Sequence, residues 1–366
     1  MKTIKYGVIG CGMMGQEHLA NIALLEGAEV AAVYEPDPQM AEAARQRVPE
    51  AVLAESFEDL LHIEDLDCLL VASPNHVHKS QLSKIAELRP LPLLIEKPLF
   101  TDPADADAVR KIGKSYPAPI WVAMEYRYMP PVALLLERAA SVTGGVKMLT
   151  IREHRFPFLP KVGDWNRFNA NTGGTFVEKC CHFFDLMRLV MKDEPVRIYG
   201  SGGQAVNHLE ESYDGATPDI ADHGYVMVDF ARGGRAMLEL CMFAEGAEYQ
   251  EEISAVGHDG KIEAFVPGPG RFWPTSAGAA PLPKVVESPR TPKSPTQKIV
   301  PVDANLLAAG DHNGSTFYQH QKFLRIVQGQ QTSPDVSIRD GWIAVLMGQA
   351  AQASMETGMP VDLDFS

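Results

Sequence analysis

A run of three closely spaced glycines between two apolar segments is the strongest constraint on how this chain folds. Segment 5–9 is short and apolar, and it leads directly into Gly10-Cys11-Gly12-Met13-Met14-Gly15. A helical pattern then covers 16–26, and a second apolar segment covers 28–34. This order predicts a βαβ unit whose glycine turn approaches the pyrophosphate of a dinucleotide. The residues predicted to bind this cofactor are Gly10, Gly12, Met13, Met14 and Gly15.

The acidic residue Glu35 ends the second apolar segment, twenty residues after Gly15. A carboxylate at this distance can accept hydrogen bonds from the adenosine ribose hydroxyls. It would repel the 2′-phosphate of NADP, and the neighbouring residues Pro36 and Asp37 supply no arginine to reverse that effect. We therefore expect NAD as the cofactor and regard NADP as less favoured.

Two more polar motifs follow apolar segments in the first third of the chain. Segment 67–72 leads into Ser73-Pro74-Asn75-His76-Val77-His78, and segment 91–95 leads into Glu96-Lys97-Pro98. Ligands of open parallel sheets lie across the carboxyl ends of the strands, so both motifs are placed to meet the cofactor. We assign residues 1–125 to an α/β Rossmann domain. The further cofactor-binding residues predicted here are Ser73, Pro74, Asn75, His78, Glu96 and Lys97.

Length and composition restrict the partners of the chain. Its 366 residues suit two domains, and a net charge of −14 disfavours nucleic acid and anionic membranes, so we expect a small-molecule partner. No apolar run is long enough to span a membrane, and Met1 leads within three residues into a strand-like segment. We expect a cytoplasmic location on that basis. The five cysteines are interpreted as reduced core residues, and no metal is predicted, because no set of potential ligands has the required spacing.

Residues 126–366 are predicted to form an α+β domain for substrate binding and oligomerisation, and its final helix is placed to pack back on the first domain. Segment 266–300 is rich in Pro, Gly, Ser and Lys and indicates a long surface excursion. Strands dominate the region before it, in a meander that leaves one face free for a homodimer or homotetramer. The predicted strands are 147–154, 196–199, 224–230, 235–243, 249–256 and 261–265.

A glycine pair, Gly173-Gly174, precedes an amphipathic pattern that predicts one helix capped by Thr175. In this helix, Glu178, His182 and Asp185 share the face opposite an apolar stripe. An imidazole between two carboxylates in a covered crevice suits proton transfer near neutral pH. The alternative is an ordinary hydrogen-bonded helix face with no catalytic role.

These motifs, in this order, resemble those of the Gfo/Idh/MocA oxidoreductases, which include inositol and other sugar dehydrogenases. The resemblance implies a Rossmann domain followed by a domain built on a large, open, mostly antiparallel sheet. It also implies that Lys97 and His182 flank the reacting carbon, and that Arg127 and His154 line the substrate pocket. One departure is Glu178-Lys179-Cys180-Cys181-His182, where many members have Asp-x-Gly-x-His.

The loop 155–168 adds three predicted substrate-binding residues, Asp164, Trp165 and Arg167. Aromatic faces stack on the C–H surfaces of sugars, while arginine and aspartate bind hydroxyl or acid groups. The alternative is a packing loop in which Trp165 fills the domain interface.

The leading hypothesis is NAD-dependent hydride transfer at a ring hydroxyl of a sugar, inositol or related polyol. His182 is assigned as the base, Lys97 as donor to the same oxygen, and Glu178 and Asp185 as groups that orient His182 or bind hydroxyls; the roles of Lys97 and His182 could be exchanged. One alternative is an NAD-dependent glycosidase that oxidises, eliminates, hydrates and reduces, with an anionic sugar as one substrate class. A non-catalytic sensor is the third hypothesis, which intact Lys97 and His182 disfavour.

Overall fold

Two β-sheets organise the computed structural model, which describes residues 2–365. The first sheet is parallel throughout, with strand order β3-β2-β1-β4-β5-β6. This is the order of a dinucleotide-binding sheet, and it confirms the predicted Rossmann architecture. Its strands are β1 (Ile4–Ile9), β2 (Ala28–Tyr34), β3 (Val52–Leu53), β4 (Cys68–Val71), β5 (Leu93–Ile95) and β6 (Ile120–Val122).

Helices connect the strands of the first sheet, and local sequence fixes where several of them begin. The side chain of Asp37 accepts hydrogen bonds from the backbone N–H groups of Gln39 and Met40, and Pro38 occupies the first helical position. The side chain of Ser56 caps the next helix in the same way. The connecting helices are α1 (Met13–Ile22), α2 (Pro38–Arg47), α3 (Phe57–His62), α4 (His78–Leu88) and α5 (Ala106–Ser115).

The second sheet is large, open and mostly antiparallel, as predicted, with one parallel pair between β7 and β10 within the described chain. Its order is β14-β13-β12-β11-β7-β10-β9-β8-β15. The strands are β7 (Val146–His154), β8 (Pro195–Gly203), β9 (His223–Phe230), β10 (Arg235–Cys241), β11 (Glu251–Gly257), β12 (Gly260–Val266), β13 (Lys284–Pro289), β14 (Thr296–Ile299) and β15 (Val361–Asp362).

Helices cover one face of this second sheet and leave the other face open. Residues Met148, Tyr225 and Met227 on the open face are 61%, 54% and 55% exposed. None of the helices within residues 2–365 is long and apolar enough to cross a membrane. The helices of this half of the chain are α6 (Pro130–Thr143), α7 (Asn169–Thr172), α8 (Thr175–Glu178), α9 (Cys181–Met191), α10 (Ala304–Ala308), α11 (Ser315–Val327) and α12 (Ile338–Thr357).

Two local predictions were wrong. Segment 266–300 is not only a surface excursion, because β13 and β14 within it extend the sheet. The short apolar pair Val285-Val286 in β13 gives little strand signal among the surrounding Pro, Gly and Ser residues. The residues after Gly174 form two helices rather than one, because the helical conformation is interrupted at 179–180, between α8 and α9. Thr175 is the first residue of α8 rather than its cap, and its hydroxyl donates to the carbonyl oxygen of Ala221.

The last helix, α12, contacts both parts of the molecule. Ser337 and Asp340 form a capping box at its start. The indole N–H of Trp342 donates to the carbonyl oxygen of Ala106 in the first domain, at 2.9 Å. Its C-terminal half packs on β8 and continues toward β15. The domain boundary at 125/126 stays a prediction.

Candidate active site

A cavity of about 590 Å³ lies over the carboxyl ends of β1, β2, β4 and β5, and we call it the cofactor cavity. Gly15 and His78, although predicted to bind the cofactor, are not part of its wall. The other predicted cofactor-binding residues all line it, namely Gly10, Gly12, Met13, Met14, Glu35, Ser73, Pro74, Asn75, Glu96 and Lys97.

The glycine turn at the cofactor cavity has the shape that a dinucleotide requires. Gly10 has φ +89°, and a Cβ there would lie 2.6 Å from the backbone nitrogen of Ser73. A Cβ on Gly15 would lie 2.3 Å from the carbonyl oxygen of Gly10, so this glycine acts by close packing. Space around Gly12 is open, with nothing within 4 Å of a Cβ built there. The turn therefore leaves backbone N–H groups at the start of α1 accessible to a pyrophosphate.

Glu35 sits at the edge of this turn, where the ribose of a dinucleotide would lie. Its carboxylate accepts hydrogen bonds from the backbone N–H groups of Cys11 (2.5 Å) and Asp37 (2.8 Å). These two bonds fix the side chain in the wall of the cofactor cavity. A fixed carboxylate at this position can accept hydrogen bonds from ribose hydroxyls, and it would repel a 2′-phosphate on the same ribose.

His78 supports the cofactor cavity from behind. Its two ring nitrogens lie 2.7 Å and 2.8 Å from the carbonyl oxygens of Pro98 and Ser73. The ring is fully buried, and burial lowers the pKa of His78. The histidine therefore joins the loop after β4 to the loop after β5, and the predicted direct contact with cofactor is replaced by this positioning role.

A second cavity of about 100 Å³ adjoins the first, and we call it the inner cavity. It shares Met13, Met14, Lys97, Lys161 and Glu178 with the wall of the cofactor cavity. The remaining polar residues of its wall come from distant segments of the chain. They are Glu17, Glu125, Tyr126, Arg155, Asn166, Lys179, His182, Gln250, Asp311, His312 and Asn313.

Lys97 and Glu178 form an ionised pair where the two cavities meet. The Nζ atom of Lys97 donates to the backbone carbonyl oxygen of Glu178 at 2.9 Å, at the break between α8 and α9. Burial alone would lower the pKa of Lys97, but the neighbouring carboxylate of Glu178 raises it above its ordinary value. Burial alone would raise the pKa of Glu178, but Lys97 and Lys161 lower it to about 2. Both groups are therefore charged near neutral pH.

His182 lines the inner cavity as a neutral imidazole. Its ring stacks on Tyr126, with ring centroids 4.1 Å apart and planes 6° apart. Burial, together with the charges of Lys97 and Lys179, holds the pKa of His182 well below its usual range. Its Nδ1 is buried and has no hydrogen-bond partner among residues 2–365. An uncharged imidazole in this position can accept a proton from a bound molecule.

The two carboxylates predicted to flank His182 do not contact it. Glu178 lies on the other side of the helix break, where its carboxylate meets Asn75 and Lys161. Asp185 pairs with Arg127, whose Nε and Nη2 donate to its two oxygens at 2.6 Å and 2.5 Å. The break separates Glu178 from His182, which a straight helix would have kept on one face. Asp185 is on the same helix as His182, but its carboxylate is bound by Arg127.

Arg127 is also placed outside the inner cavity, contrary to the prediction for this residue. Besides its pair with Asp185, it donates from Nη1 to the backbone carbonyl oxygen of Asp335 at 2.6 Å. The guanidinium therefore donates to partners within the protein, and it joins the short 3₁₀ helix Glu125–Tyr128 to the segment before α12. Its role here is structural.

His154 is the second substrate-site prediction that the structure moves elsewhere. Successive side chains of a strand point to opposite faces, and in β7 the buried residues Leu149, Ile151 and Glu153 face the helices. His154 alternates with them and lies 3.0 Å from Glu239, which belongs to the neighbouring strand. The histidine therefore lies on the open face, and its neighbour Glu153 lies beneath the inner cavity instead.

The loop 155–168 divides between the two cavities. Trp165, predicted to bind substrate, lines the cofactor cavity rather than the inner cavity, and the Nζ of Lys161 lies 4.5 Å from its ring centroid. Arg167 is buried and pairs with Glu211 at 3.0 Å, away from both cavities. Asp164 is also outside both walls and has φ +46°. From this loop, Arg155, Asn166 and Lys161 reach the inner cavity, with Phe156, Phe158 and Leu159.

Sequence reasoning missed a buried charge cluster behind the inner cavity. The Nζ of Lys179 lies 2.9 Å from Glu153 and contacts the hydroxyl of Tyr126. Glu251 is the cross-strand partner of Glu153 in the β7–β11 pair. Burial and the charge of Glu153 raise the pKa of Glu251 to about 7. Strand alternation could have placed Glu153 and Glu251 on the covered face, but nothing in the local sequence pointed to Lys179.

No group of three or more His, Cys, Asp or Glu side chains in residues 2–365 is arranged to hold a metal ion. The five cysteines in the same range are free thiols, four of them buried. Adjacent Cys180 and Cys181 are fully buried, and burial raises the pKa of both thiols.

Comparison with known proteins places both parts of the chain. Residues 4–124 match the family model described as oxidoreductase family, NAD-binding Rossmann fold. Residues 140–363 match the model described as oxidoreductase family, C-terminal alpha/beta domain. The two models belong to the same family and together cover most of the chain.

Similar curated proteins include two inositol 2-dehydrogenases. That of Arthrobacter sp. (strain FB24) is 28% identical over 270 residues, covering 70% of this chain and 75% of its own. That of Paracoccus denitrificans is 31% identical over 268 residues, covering 70% and 73%. Among solved structures, levoglucosan dehydrogenase in complex with NADH and levoglucosan has a TM-score of 0.80 at 18% identity, over 98% of this chain and 99% of that one. The chain belongs to the Gfo/Idh/MocA family of NAD-binding oxidoreductases.

Proposed function

We propose that this protein is a dehydrogenase that transfers hydride between NAD and a ring carbon bearing a hydroxyl group in a sugar, inositol or related polyol. The observation that carries the proposal is the junction of the two cavities. Lys97 lines both of them, and His182 lines the inner one. A substrate in the inner cavity would therefore meet a proton acceptor and a fixed positive charge next to the cofactor cavity.

The protonation states of the two residues favour one division of labour. Oxidation of an alcohol requires its hydroxyl proton to leave, and neutral His182 is the group able to accept it. Lys97 stays protonated and donates a hydrogen bond that stabilises negative charge developing on the same oxygen. The lowered pKa of His182 also makes its protonated form a strong acid, which returns the proton readily in the reverse direction. When bound, NAD accepts the hydride from the carbon or returns it.

The same residues account for the preference we propose for NAD over NADP. Gly10, Gly12 and the start of α1 would hold the pyrophosphate, and Glu35 would bind the adenosine ribose hydroxyls. The carboxylate of Glu35 would lie next to a 2′-phosphate and repel it. The cofactor cavity contains Asp37 beside it and no arginine in its wall as described.

The substrate class follows from the chemistry of the inner cavity and from the named relatives. Ammonium, imidazole, amide and carboxylate groups surround a small volume, which suits a compact molecule with several hydroxyl groups. The two curated relatives are inositol 2-dehydrogenases, and one structural neighbour is a levoglucosan dehydrogenase. We also propose that the open face of the second sheet joins subunits in a homodimer or homotetramer, because exposed Tyr225, Met227 and Met148 lie on it.

The test is absorbance at the reduced-nicotinamide wavelength, measured with NAD and then NADP against free sugars, inositols and glycosides, with product identification in parallel. Steady formation of NADH on a free polyol supports the dehydrogenase. Cleavage of a glycoside without net NADH would replace it with the NAD-dependent glycosidase. Absence of both reactions across the panel would contradict the proposal.

A further inference from the structure

A second histidine, His312, lines the inner cavity from the loop between α10 and α11. The mechanism proposed above gives it no task. Its ring lies near Tyr126, the residue on which His182 stacks, with 6.2 Å between the ring centroids of Tyr126 and His312. The side chain is 22% exposed, so the ring is accessible from the cavity it lines.

Glu17 of α1 holds this histidine in place. Its carboxylate lies 2.8 Å from Nδ1 of His312 and accepts the backbone N–H of Asp311 at 3.1 Å. A Cβ on Gly310 would lie 2.2 Å from the Glu17 carboxyl carbon, so the loop packs directly against this side chain. The first domain therefore fixes the position of a residue that belongs to the second.

The hydroxyl of Thr316 links the two carboxyl groups that lie near His312. It lies 2.8 Å from a carboxylate oxygen of Glu17 and 2.8 Å from one of Glu125. A hydroxyl carries one proton, so Thr316 bridges the two carboxyl groups and holds them close together. Glu125 is 1% exposed, and burial raises its pKa. Burial alone would raise the pKa of Glu17, but His312 lowers it to about 2.

His312 is charged near neutral pH, and the carboxylate of Glu17 is its hydrogen-bonded partner. Burial lowers the pKa of His312, but Glu17 and Glu125 raise it to about 9. Its Nε2 lies 3.8 Å from Glu125, beyond hydrogen-bond distance, and no other partner within residues 2–365 accepts from it. A positively charged ring thus presents a free N–H donor to a cavity suited to a molecule rich in oxygen atoms.

We propose that His312 is a substrate-binding residue that donates a hydrogen bond from Nε2 to a hydroxyl oxygen of the polyol, at a carbon other than the one oxidised. This inference rests on the proposed function and adds to it a specificity-determining residue. Lys97 and His182 serve the reacting oxygen, while His312, elsewhere in the wall of the inner cavity, holds a second oxygen and so fixes which carbon faces the cofactor cavity.

The experiment compares His312→Phe, which keeps an aromatic ring but removes the donor, with His312→Gln, which keeps an N–H donor. Initial rates are measured with myo-inositol, D-glucose and levoglucosan, and with the monodeoxy analogues of whichever compound reacts. His258→Phe is the matched control, because His258 is 74% exposed and its side chain pairs only with Asp259. Thermal unfolding and NADH fluorescence titration report folding and cofactor binding separately.

We expect His312→Phe to raise KM roughly ten- to a hundredfold, with a smaller change in kcat and unchanged NADH affinity, and His312→Gln to recover part of the loss. One monodeoxy analogue should react with wild-type protein as poorly as the intact substrate reacts with His312→Phe. That analogue should lose nothing further in the variant, because the contact is already absent.

Different failures have different meanings. If wild-type protein reacts with a polyol and His312→Phe keeps its KM, the role of His312 is refuted and the dehydrogenase stands. Equal losses on every analogue, or a fall in NADH affinity or thermal stability that accounts for the loss, would assign His312 a structural role instead. If no compound in the panel reacts with wild-type protein, the proposed function fails and this assignment fails with it.

Discussion

The cofactor cavity and the inner cavity share a wall, yet they are built in different ways. The first is shaped mainly by a glycine turn and by residues that directly follow strands of one sheet, and the loop 155–168 and Glu178 complete its wall. The second is lined by charged side chains from widely separated segments, including Glu17, Lys179 and His312. A site made of backbone depends on local conformation, whereas a site made of buried charges depends on each charge having its partner in place.

Removing the side chains at the junction of the two cavities should best distinguish substrate turnover from cofactor binding. We expect Lys97→Ala and His182→Ala each to lower turnover about a hundredfold or more while retaining NAD binding, because both act on the substrate oxygen. Steady-state rates and NADH fluorescence titration measure the two effects. Lys84→Ala, on the partly exposed surface of α4, is the control. Near-normal turnover in either variant would remove that residue from the mechanism.

Glu251, in the buried charge cluster behind the inner cavity, should make the stability of the protein depend on pH. The pKa of Glu251 is raised from 4.5 to about 7, so folded protein binds this proton more tightly than unfolded protein does. The resulting stabilisation is complete below about pH 4.5 and is lost as pH rises through 7. Glu251→Gln removes this titration. As pH rises from about 4.5 to 7, its free energy of unfolding should therefore increase relative to that of wild type by roughly 1 to 3 kcal/mol.

Urea unfolding at pH 5 and pH 8 measures this difference. Glu252→Gln is the matched control, since Glu252 is the next residue on the strand and faces the other way, toward Arg152. If the free energies of unfolding of wild type and Glu251→Gln differ by the same amount at both pH values, Glu251 does not titrate in this range.

In the cofactor cavity, removing the charge of Glu35 should have a smaller effect than these substitutions, and the effect should be limited to dinucleotide binding. Glu35→Ser should weaken NAD binding about tenfold and narrow its preference over NADP, because ribose contacts are lost and repulsion of the 2′-phosphate is removed. Titration with both reduced dinucleotides tests this, with exposed Glu55→Ser as control. Unchanged affinity for both would refute the role of Glu35.

The smallest effect is expected at His154, which family resemblance would place in the substrate pocket. The structure places it on the open face, paired with Glu239, so His154→Ala should change kcat/KM by less than about twofold. A large loss of activity would mean that the open face and the inner cavity are not separate. Steady-state kinetics at protein concentrations above and below the dissociation constant of the oligomer would distinguish a direct effect on the active site from altered subunit assembly.

The sequence predicts the cofactor half well because its signals are local. The glycine turn, Glu35 and the motifs after β4 and β5 are each defined by a few consecutive residues, and the structure brings them together. His78 shows the limit of this reasoning, since the motif is correct but the side chain faces backbone carbonyl groups rather than the cavity.

Predictions for the substrate half fail for two physical reasons. A shift of one residue on a strand reverses the face, which separates His154 from Glu153. A break of two residues in a helix changes which side chains share a face, which separates Glu178 from His182. The roles of Lys179 and His312 could not be predicted, because their partners Glu153 and Glu17 are distant in the chain and meet them only through tertiary packing.

Strand β7 carries a consequence for anyone who wishes to alter this protein. Its odd-numbered positions from 149 to 153 face the helices, where Glu153 pairs with Lys179 behind the inner cavity. Its even-numbered positions from 148 to 154 lie on the open face. The two sets of side chains on this strand can therefore be varied separately. Substitutions at Met148, Thr150 and Arg152 should leave the packing behind the inner cavity unchanged, and they would test the proposal that the open face joins subunits.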